Sequence, residues 1–248
     1  MRSVCRRRGV KWDLDLDEGI DLCIYLFGAY EGNILRAYQT LLKPGDVVFD
    51  IGANIGSHTL HMAKVVGPSG FVHAFEPTDY AIDKLRLNLA LNPDLQSRIS
   101  AHQLFLTNGE GSILPETVCS SWPVDRWTAD VVRAGLDEQH LGRGKELRGA
   151  AATTADQFCT ANGLQRLDLV KLDVDGNEDA VLSGFRNTLT RFRPKIIIEL
   201  APFVHSTGAT DSFDSFVNFL ACLGYDFFDA NTRNAIPSSG HGLRLVIA

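Results

Sequence analysis

Asp50, Gly52, Asn54 and Gly56 fall in one short run, Asp-Ile-Gly-Ala-Asn-Ile-Gly. Glycine lets backbone approach a bound group with no Cβ in the way. A pyrophosphate is usually cradled by G-x-G-x-x-G at a helix N-terminus. Here Asn54 stands where the second glycine would be, and the carboxylate of Asp50 would repel a phosphate and suit a cation. Glu76 follows Gly56 by twenty residues and ends a second apolar run, Phe71–Phe75. A carboxylate there can accept hydrogen bonds from both ribose hydroxyls of a nucleoside. A nucleoside with a positive group and no phosphate describes S-adenosyl-L-methionine. The plainer alternative is a generic glycine turn in a doubly wound fold.

A second set of carboxylates comes later: Asp173, Asp175, Glu178 and Glu199. A hydroxyl that attacks an activated methyl group loses a proton, which a carboxylate or a histidine can take. Asp173 and Asp175 are therefore candidates to contact a substrate hydroxyl or the methionine end of the donor. Asp175-x-x-Glu178 also reads as a capping box that starts a helix, and both readings stand. His205 is the best-placed histidine for proton transfer, although a loop histidine often has no role. Asp173, Asp175 and Glu199 could gather a divalent cation, but strand-end carboxylates also serve without one, and no metal is expected. His58 and His61 lie three apart with no third ligand in sight and read as ordinary helix residues.

These side chains need a scaffold. Val47–Ile51 is a short β-branched and aromatic run of the kind buried on both faces of a parallel sheet. Ser57 is a suitable N-cap for the helix-like segment 58–66, which Gly67-Pro68 closes. The glycines therefore sit on a strand-to-helix turn, where α/β sheets bind ligands. Further strands are expected over 71–75, 99–106, 167–173, 194–200, 224–229 and 243–247. Helices are expected over 79–91, 154–162, 178–189 and 212–223. Strand–helix alternation from 46 to 200 predicts a parallel sheet with helices on both faces. Ahead of it, 10–16 and 20–27 read as strands and 31–42 as a helix, giving a cap over residues 1–44 beside a main domain over 45–248. Residues 112–152 form an irregular insertion, long enough to suggest function. Trp122 and Trp127 could shape a substrate lid there or anchor the loop. The third strand ends near Asn108, which could bond an adenine edge or belong to a plain Asn-Gly turn.

The chain has 248 residues, 45% of them apolar, and a net charge of -6. One α/β domain with modest extensions fits that length. The acidic balance argues against nucleic acid as a partner, and no apolar stretch reaches membrane-spanning length. No apolar segment follows the basic N-terminal residues, so a secretory signal is not expected. Five scattered cysteines without C-x-x-C spacing suit a reduced, cytoplasmic protein.

Four blocks, Phe49-Asp-Ile-Gly-Ala-Asn-Ile-Gly56, Ala74-Phe-Glu-Pro77, Val170-Lys-Leu-Asp-Val-Asp-Gly-Asn-Glu178 and Ile197-Ile-Glu-Leu200, together resemble the FkbM family of S-adenosylmethionine-dependent methyltransferases. The resemblance covers roughly residues 40 to 200. It implies the Rossmann-like class I methyltransferase fold, a mostly parallel seven-stranded sheet with the last strand antiparallel beside the fifth. It implies methylation of a hydroxyl on a sugar, polyketide or other small metabolite. By the same resemblance Asp50, Gly52, Asn54 and Gly56 would line the methionine end and Glu76 would hold the ribose. Asn108 stands where the family usually shows Asp near the adenine, and Asp175 where Glu is commoner. Asp173 would face the transferred methyl. A nucleotide-dependent oxidoreductase and a non-catalytic binding protein of the same fold are the competing readings. The sequence leaves the acceptor and the oligomeric state open.

Overall fold

The computed structural model describes residues 1–109, 112–126, 142–200, 217–229, 232, 234–235 and 244–247. Strands β1 (Arg2–Arg7) and β2 (Val10–Asp15) form an antiparallel pair turned over Arg8-Gly9. Alternation in β2 buries Val10, Trp12 and Leu14 while Lys11 faces out. The expected strand over 20–27 is instead a helix, α1 (Gly19–Phe27). Its near-continuous apolar run carries no clear period, so tertiary contacts decide. Asp21 and Ile24, three apart, face inward, and Leu26 and Phe27 stay exposed. Asp21 accepts from Asp15 N at 2.7 Å and Lys84 Nζ at 2.6 Å, bonds that fasten the first turn of the helix. Gly28 closes it in the left-handed region. Helix α2 (Gly32–Leu41) follows as expected.

Next come β3 (Val47–Ile51), α3 (Thr59–Val66), β4 (Phe71–Phe75), α4 (Asp79–Ala90), the short α5 (Pro93–Gln96) and β5 (Ile99–His102). The N-cap of α3 is His58 rather than Ser57, with no side-chain capping bond. The Thr59 hydroxyl turns instead to Asp50 Oδ2 at 2.5 Å. The expected strand 99–106 divides. Beyond β5, β6 (Leu104–Leu106) leaves the main sheet. The insertion is built from β7 (Thr117–Ser121), paired antiparallel with β8 (Arg143–Glu146), and from β9 (Ala151–Thr153), paired parallel with β6. Helix α6 (Ala155–Ala161) carries a full capping box between Thr154 and Gln157. After β10 (Leu169–Leu172) the expected helix 178–189 is two helices, α7 (Glu178–Ser183) and α8 (Arg186–Phe192). They break at Gly184, where a Cβ would lie 2.1 Å from Thr107 O. Strands β11 (Lys195–Leu200), β12 (Phe228–Asp229) and β13 (Arg244–Ile247) complete the described elements. The expected helix 212–223 begins outside the described residues, and only Phe228–Asp229 of the strand expected over 224–229 is extended.

The main sheet runs β12-β13-β11-β10-β3-β4-β5. Five neighbours, β11 through β5, are mutually parallel, and β13 lies antiparallel between β11 and β12. Side chains alternate across it. Val48, Val72 and Leu169 join one core with Trp12, Ile34 and Tyr38 from residues 1–44. Phe49, Ile51, Phe75 and Val170 join the other with Phe158 and Phe185. The N-terminal segment is thus continuous with the core of the sheet. Among the described residues no helix is long and apolar enough to cross a membrane.

Candidate functional site

The C-terminal ends of β3, β4, β10 and β11 open on a cavity of about 370 Å³. Its first wall is the turn after β3. Gly52 holds φ +80°, and a Cβ there would lie 1.8 Å from Asp173 O. No residue but glycine fits between these two strand ends. Asn54 takes φ +47° and accepts from Ile55 N at 2.8 Å through its own Oδ1, the local bond that lets asparagine tolerate this region. Gly56, at φ +90°, packs against Leu85 and does not line the cavity. Asn88, fully buried on α4, donates to Ile55 O at 3.0 Å and accepts from Asp13 N at 2.9 Å. It ties the turn to β2.

Glu76, just past β4, is buried and accepts from Asn54 N (3.0 Å), Thr78 N (3.0 Å) and Thr78 Oγ1 (2.6 Å). Burial pushes its carboxyl up, against the pull of those donors. Oε1 takes both Thr78 donors, while Oε2 takes only Asn54 N and keeps a lone pair for a further donor. The wall beside it is apolar, from Phe75, Leu104, Phe105 and Leu106. Ser120 of β7 donates to Glu76 Oε1 at 3.4 Å, and its carbonyl accepts from Asn54 Nδ2 at 3.2 Å. Val118, Cys119 and Trp122 line the same side. The described part of the insertion therefore belongs to the wall. Glu18 fastens it to the N-terminal segment through Ser121 Oγ (2.8 Å) and Trp122 N (2.9 Å).

The opposite wall is charged. Lys171, buried in β10, donates to Asp173 Oδ2 at 2.8 Å and reaches Gly52 O at 3.5 Å and Asp50 Oδ1 at 4.0 Å. Burial opposes its charge, but the two carboxylates hold its pKa above the ordinary lysine range. Burial also opposes the charge of Asp173, yet Lys171 and a hydrogen bond from Glu199 keep its carboxyl below the usual range. Burial and the neighbouring Asp173 push Glu199 up to about 9. Burial, then Asp173 and Glu178, push Asp175 up to about 8. Asp175 sits at φ +52°. No capping box forms here: the N-cap of α7 is Asn177, and Glu178 Oε1 instead accepts from Val174 N (3.0 Å) and Gly176 N (3.2 Å), closing the loop. His58 lines the cavity too, with Nδ1 2.8 Å from Tyr38 OH and Nε2 3.2 Å from Glu31 Oε2.

Gly52, Asn54, Glu76, Asp173 and Asp175 all face the cavity. Asp50 does not line it; it is fully buried beneath the turn, bonded to Thr59 and 4.0 Å from Lys171. Asn108 is exposed, turned toward Thr107 and Ser112, and is not part of the lining. His205 and Trp127 lie outside the described residues. Among the described residues no group of His, Cys, Asp or Glu gathers in a metal-holding arrangement. His58 is a lining residue rather than an ordinary helix position, whereas His61 is buried against Trp12. Sequence reasoning missed Lys171, Tyr38, Glu31 and Ser120. Lys171 alone carried a signal, a charge in the middle of an apolar strand.

Residues 50–227 match the methyltransferase FkbM domain. The chain belongs to the FkbM methyltransferase family. Methyltransferase sdnD of Sordaria araneosa is 33% identical over 162 residues, 58% of this chain and 61% of that protein. The 2-O-methyltransferase NoeI of Sinorhizobium fredii is 28% identical over 163 residues, 62% of this chain and 63% of that protein. The chain thus spans about three-fifths of the length of these curated relatives. The crystal structure of methyltransferase FkbM from Methylobacillus flagellatus KT superposes with a TM-score of 0.51 at 16% identity, over 85% of this chain and 47% of that one. At that identity the likeness is one of fold. The FkbM match begins at Asp50, so Glu31 and Tyr38, which contact the lining residue His58, lie outside the matched region.

Proposed function

We propose that the protein is an S-adenosylmethionine-dependent O-methyltransferase that acts on a hydroxyl of a small acceptor, a sugar or secondary metabolite. The carrying observation is that Glu76 and the Gly52 turn share one cavity with Asp173 and Asp175. The residues suit the donor. A buried carboxylate whose Oε2 accepts only one donor can take a ribose hydroxyl, an apolar slot lies beside it, and a backbone cradle admits no Cβ. S-adenosylmethionine, when bound, supplies a methyl group that its sulfonium already activates. The protein then has to orient the acceptor oxygen and exclude water. The proton that the acceptor hydroxyl loses would pass to a carboxylate of the charged wall. Asp173, held ionised by Lys171, serves this role at neutral pH, whereas Asp175 is then largely protonated. The similarity to NoeI, a 2-O-methyltransferase, supports oxygen as the acceptor atom. The scattered cysteines support a reducing, cytoplasmic setting.

Isothermal titration with S-adenosylhomocysteine tests the reading, with NAD(H) run beside it and Glu76→Ala as control. Binding of the first ligand alone, weakened in the variant, is expected, followed by methyl transfer to hydroxylated acceptors. Binding of NAD(H) instead would point to an oxidoreductase. Binding with no turnover on any acceptor would leave a binding protein.

A further inference from the structure

We propose that Lys171 is the positioning residue of this site: its ammonium orients Asp173 toward the cavity and tethers the Gly52 carbonyl of the neighbouring turn. The role rests on the methyltransferase reading for its kinetic consequence and on geometry for everything else. Lys171 occupies the middle of β10, where Leu169, Val170 and Leu172 are all buried. It is the register partner of Asp50 on β3. An apolar residue would pack in that strand at least as well, because buried ion pairs seldom exceed the cost of desolvating them. The lysine is therefore explained by what it holds, with Asp173 Oδ2 at 2.8 Å, Gly52 O at 3.5 Å and Asp50 Oδ1 at 4.0 Å. One cation thus joins the two strand ends on which the two walls of the cavity are built.

The surroundings show why a cation is needed. Glu199 from β11, Asp50 from β3, Glu31 ahead of α2, Asp175 on the loop after β10 and Glu178 at the start of α7 all bring carboxyl groups to bear on this region, and those of Asp175 and Glu199 are raised to about 8 and about 9. His58, ahead of α3, is the other basic group that bears on Asp173. Without Lys171 the hydrogen-bonded pair of Asp173 and Glu199 would share one proton with little to keep it off Asp173, as carboxyl pairs do when no cation divides them. Asp173 would then face the cavity as a neutral acid, unable to take a proton.

The test is a Lys171→Met variant, close to lysine in length and without its charge. The first readout needs no ligand. Carboxyl carbon NMR should show the Asp173 titration midpoint raised by about one pH unit or more, the usual effect of losing an adjacent opposite charge. An unmoved midpoint overturns the proposal. The second readout is kinetic. Turnover should fall by about 10²-fold, a typical share for a lost proton acceptor. The acid limb of its pH profile should move upward, and the affinity for S-adenosylhomocysteine should stay within about threefold. A loss of that affinity as large as the loss of turnover would overturn it, because Lys171 would then serve the cofactor turn instead. The third is a cycle with Asp173→Asn. Added to that variant, Lys171→Met should cost little more, whereas an additive further loss would overturn a role exerted through Asp173. The double variant removes both charges and keeps the measurement possible if Lys171→Met alone fails to fold. If wild-type protein binds no S-adenosylhomocysteine, the methyltransferase reading fails, and the Asp173 titration still decides the role of Lys171.

Discussion

The turns after β3 and β10 leave neighbouring parallel strands at the same level, with Ile51 opposite Leu172, and are built in opposite ways. The first is shaped by backbone. Gly52 and Asn54 take positive φ, and Gly52 N and Ala53 N donate to Phe75 O at 3.0 Å each. Glu76, beside it in the lining, is bonded to the turn itself through Asn54 N. The second is shaped by charge. Asp173 and Asp175 lie two residues apart, Glu199 faces them from β11, and Lys171 and Glu178 hold the loop from within. A surface made of backbone tolerates no added atom and is indifferent to pH. A surface made of carboxylates accepts small changes of shape but responds to every change of charge.

The contrast breaks most easily at Gly52. Alanine there would meet Asp173 O at 1.8 Å and hold a φ of +80°. Strain of that kind costs about 1–3 kcal/mol before the overlap is counted. Gly52→Ala is expected to lose about 3 kcal/mol or more, read as a lower urea midpoint, and a wild-type midpoint would refute the close approach. Glu76→Gln comes next. It keeps the shape and removes the charge from hydrogen bonds of the type worth about 1.5–3 kcal/mol, so affinity for S-adenosylhomocysteine should fall roughly 10- to 100-fold by calorimetry. Unchanged affinity would remove Glu76 from the ligand site.

The charged turn is sharpened by pH. The carboxyls of Asp175 and Glu199 are raised to about 8 and about 9 in the folded chain. The native state therefore binds more protons than the unfolded one between these values and the ordinary carboxylate range near 4. Their contribution is fully present below the unfolded values and is lost as pH rises through the folded ones. Stability against urea should decline from about pH 5 to about pH 9, with a shallower decline in Asp175→Asn. An identical slope in that variant would mean that Asp175 titrates normally. The neutral His61, buried, and His73, half-buried, at about 3 and about 4, act on the other side. Their contribution is lost as pH falls below their ordinary value and through these figures. The smallest effect belongs to Asn108, which is exposed and off the lining. Asn108→Ala should change S-adenosylhomocysteine affinity by less than about twofold, the usual reach of a surface substitution. A larger loss would extend the ligand site beyond the cavity.

The two turns also differ in how far they could be read without coordinates. The backbone-built turn was legible because its requirements are local. Glycine spacing, an apolar strand before it and a helix after it carry the conformation of the turn. The charged turn was legible only as a list of carboxylates. Asp173 and Asp175 were candidates for the same chemistry, and nothing local separated them. The separation comes from Lys171, from Glu199 of another strand and from Glu31 ahead of α2. Asp50 was expected at the ligand because it sits in the motif, but strand alternation puts it under the turn, bonded to Thr59. The helix at Gly19–Phe27 was missed for a related reason. Its apolar run had no decisive period, and the bonds of Asp21 to Asp15 and Lys84 come from tertiary contact.

The sequence alone determined the alternation of strands and helices, the glycine turn, the carboxylate after β4 and the family they belong to. Each of these depends on residues close together in the chain, whose types limit φ, burial or hydrogen bonding at that spot. Only the tertiary structure decided which motif residues reach the cavity and which carboxylate stays ionised. It also brought Ser120 and Trp122 of the insertion to the wall, and His58 with Tyr38 and Glu31 to its edge. Those properties depend on distances between residues far apart in sequence, and a charge acts through space on whatever the fold brings within a few ångströms.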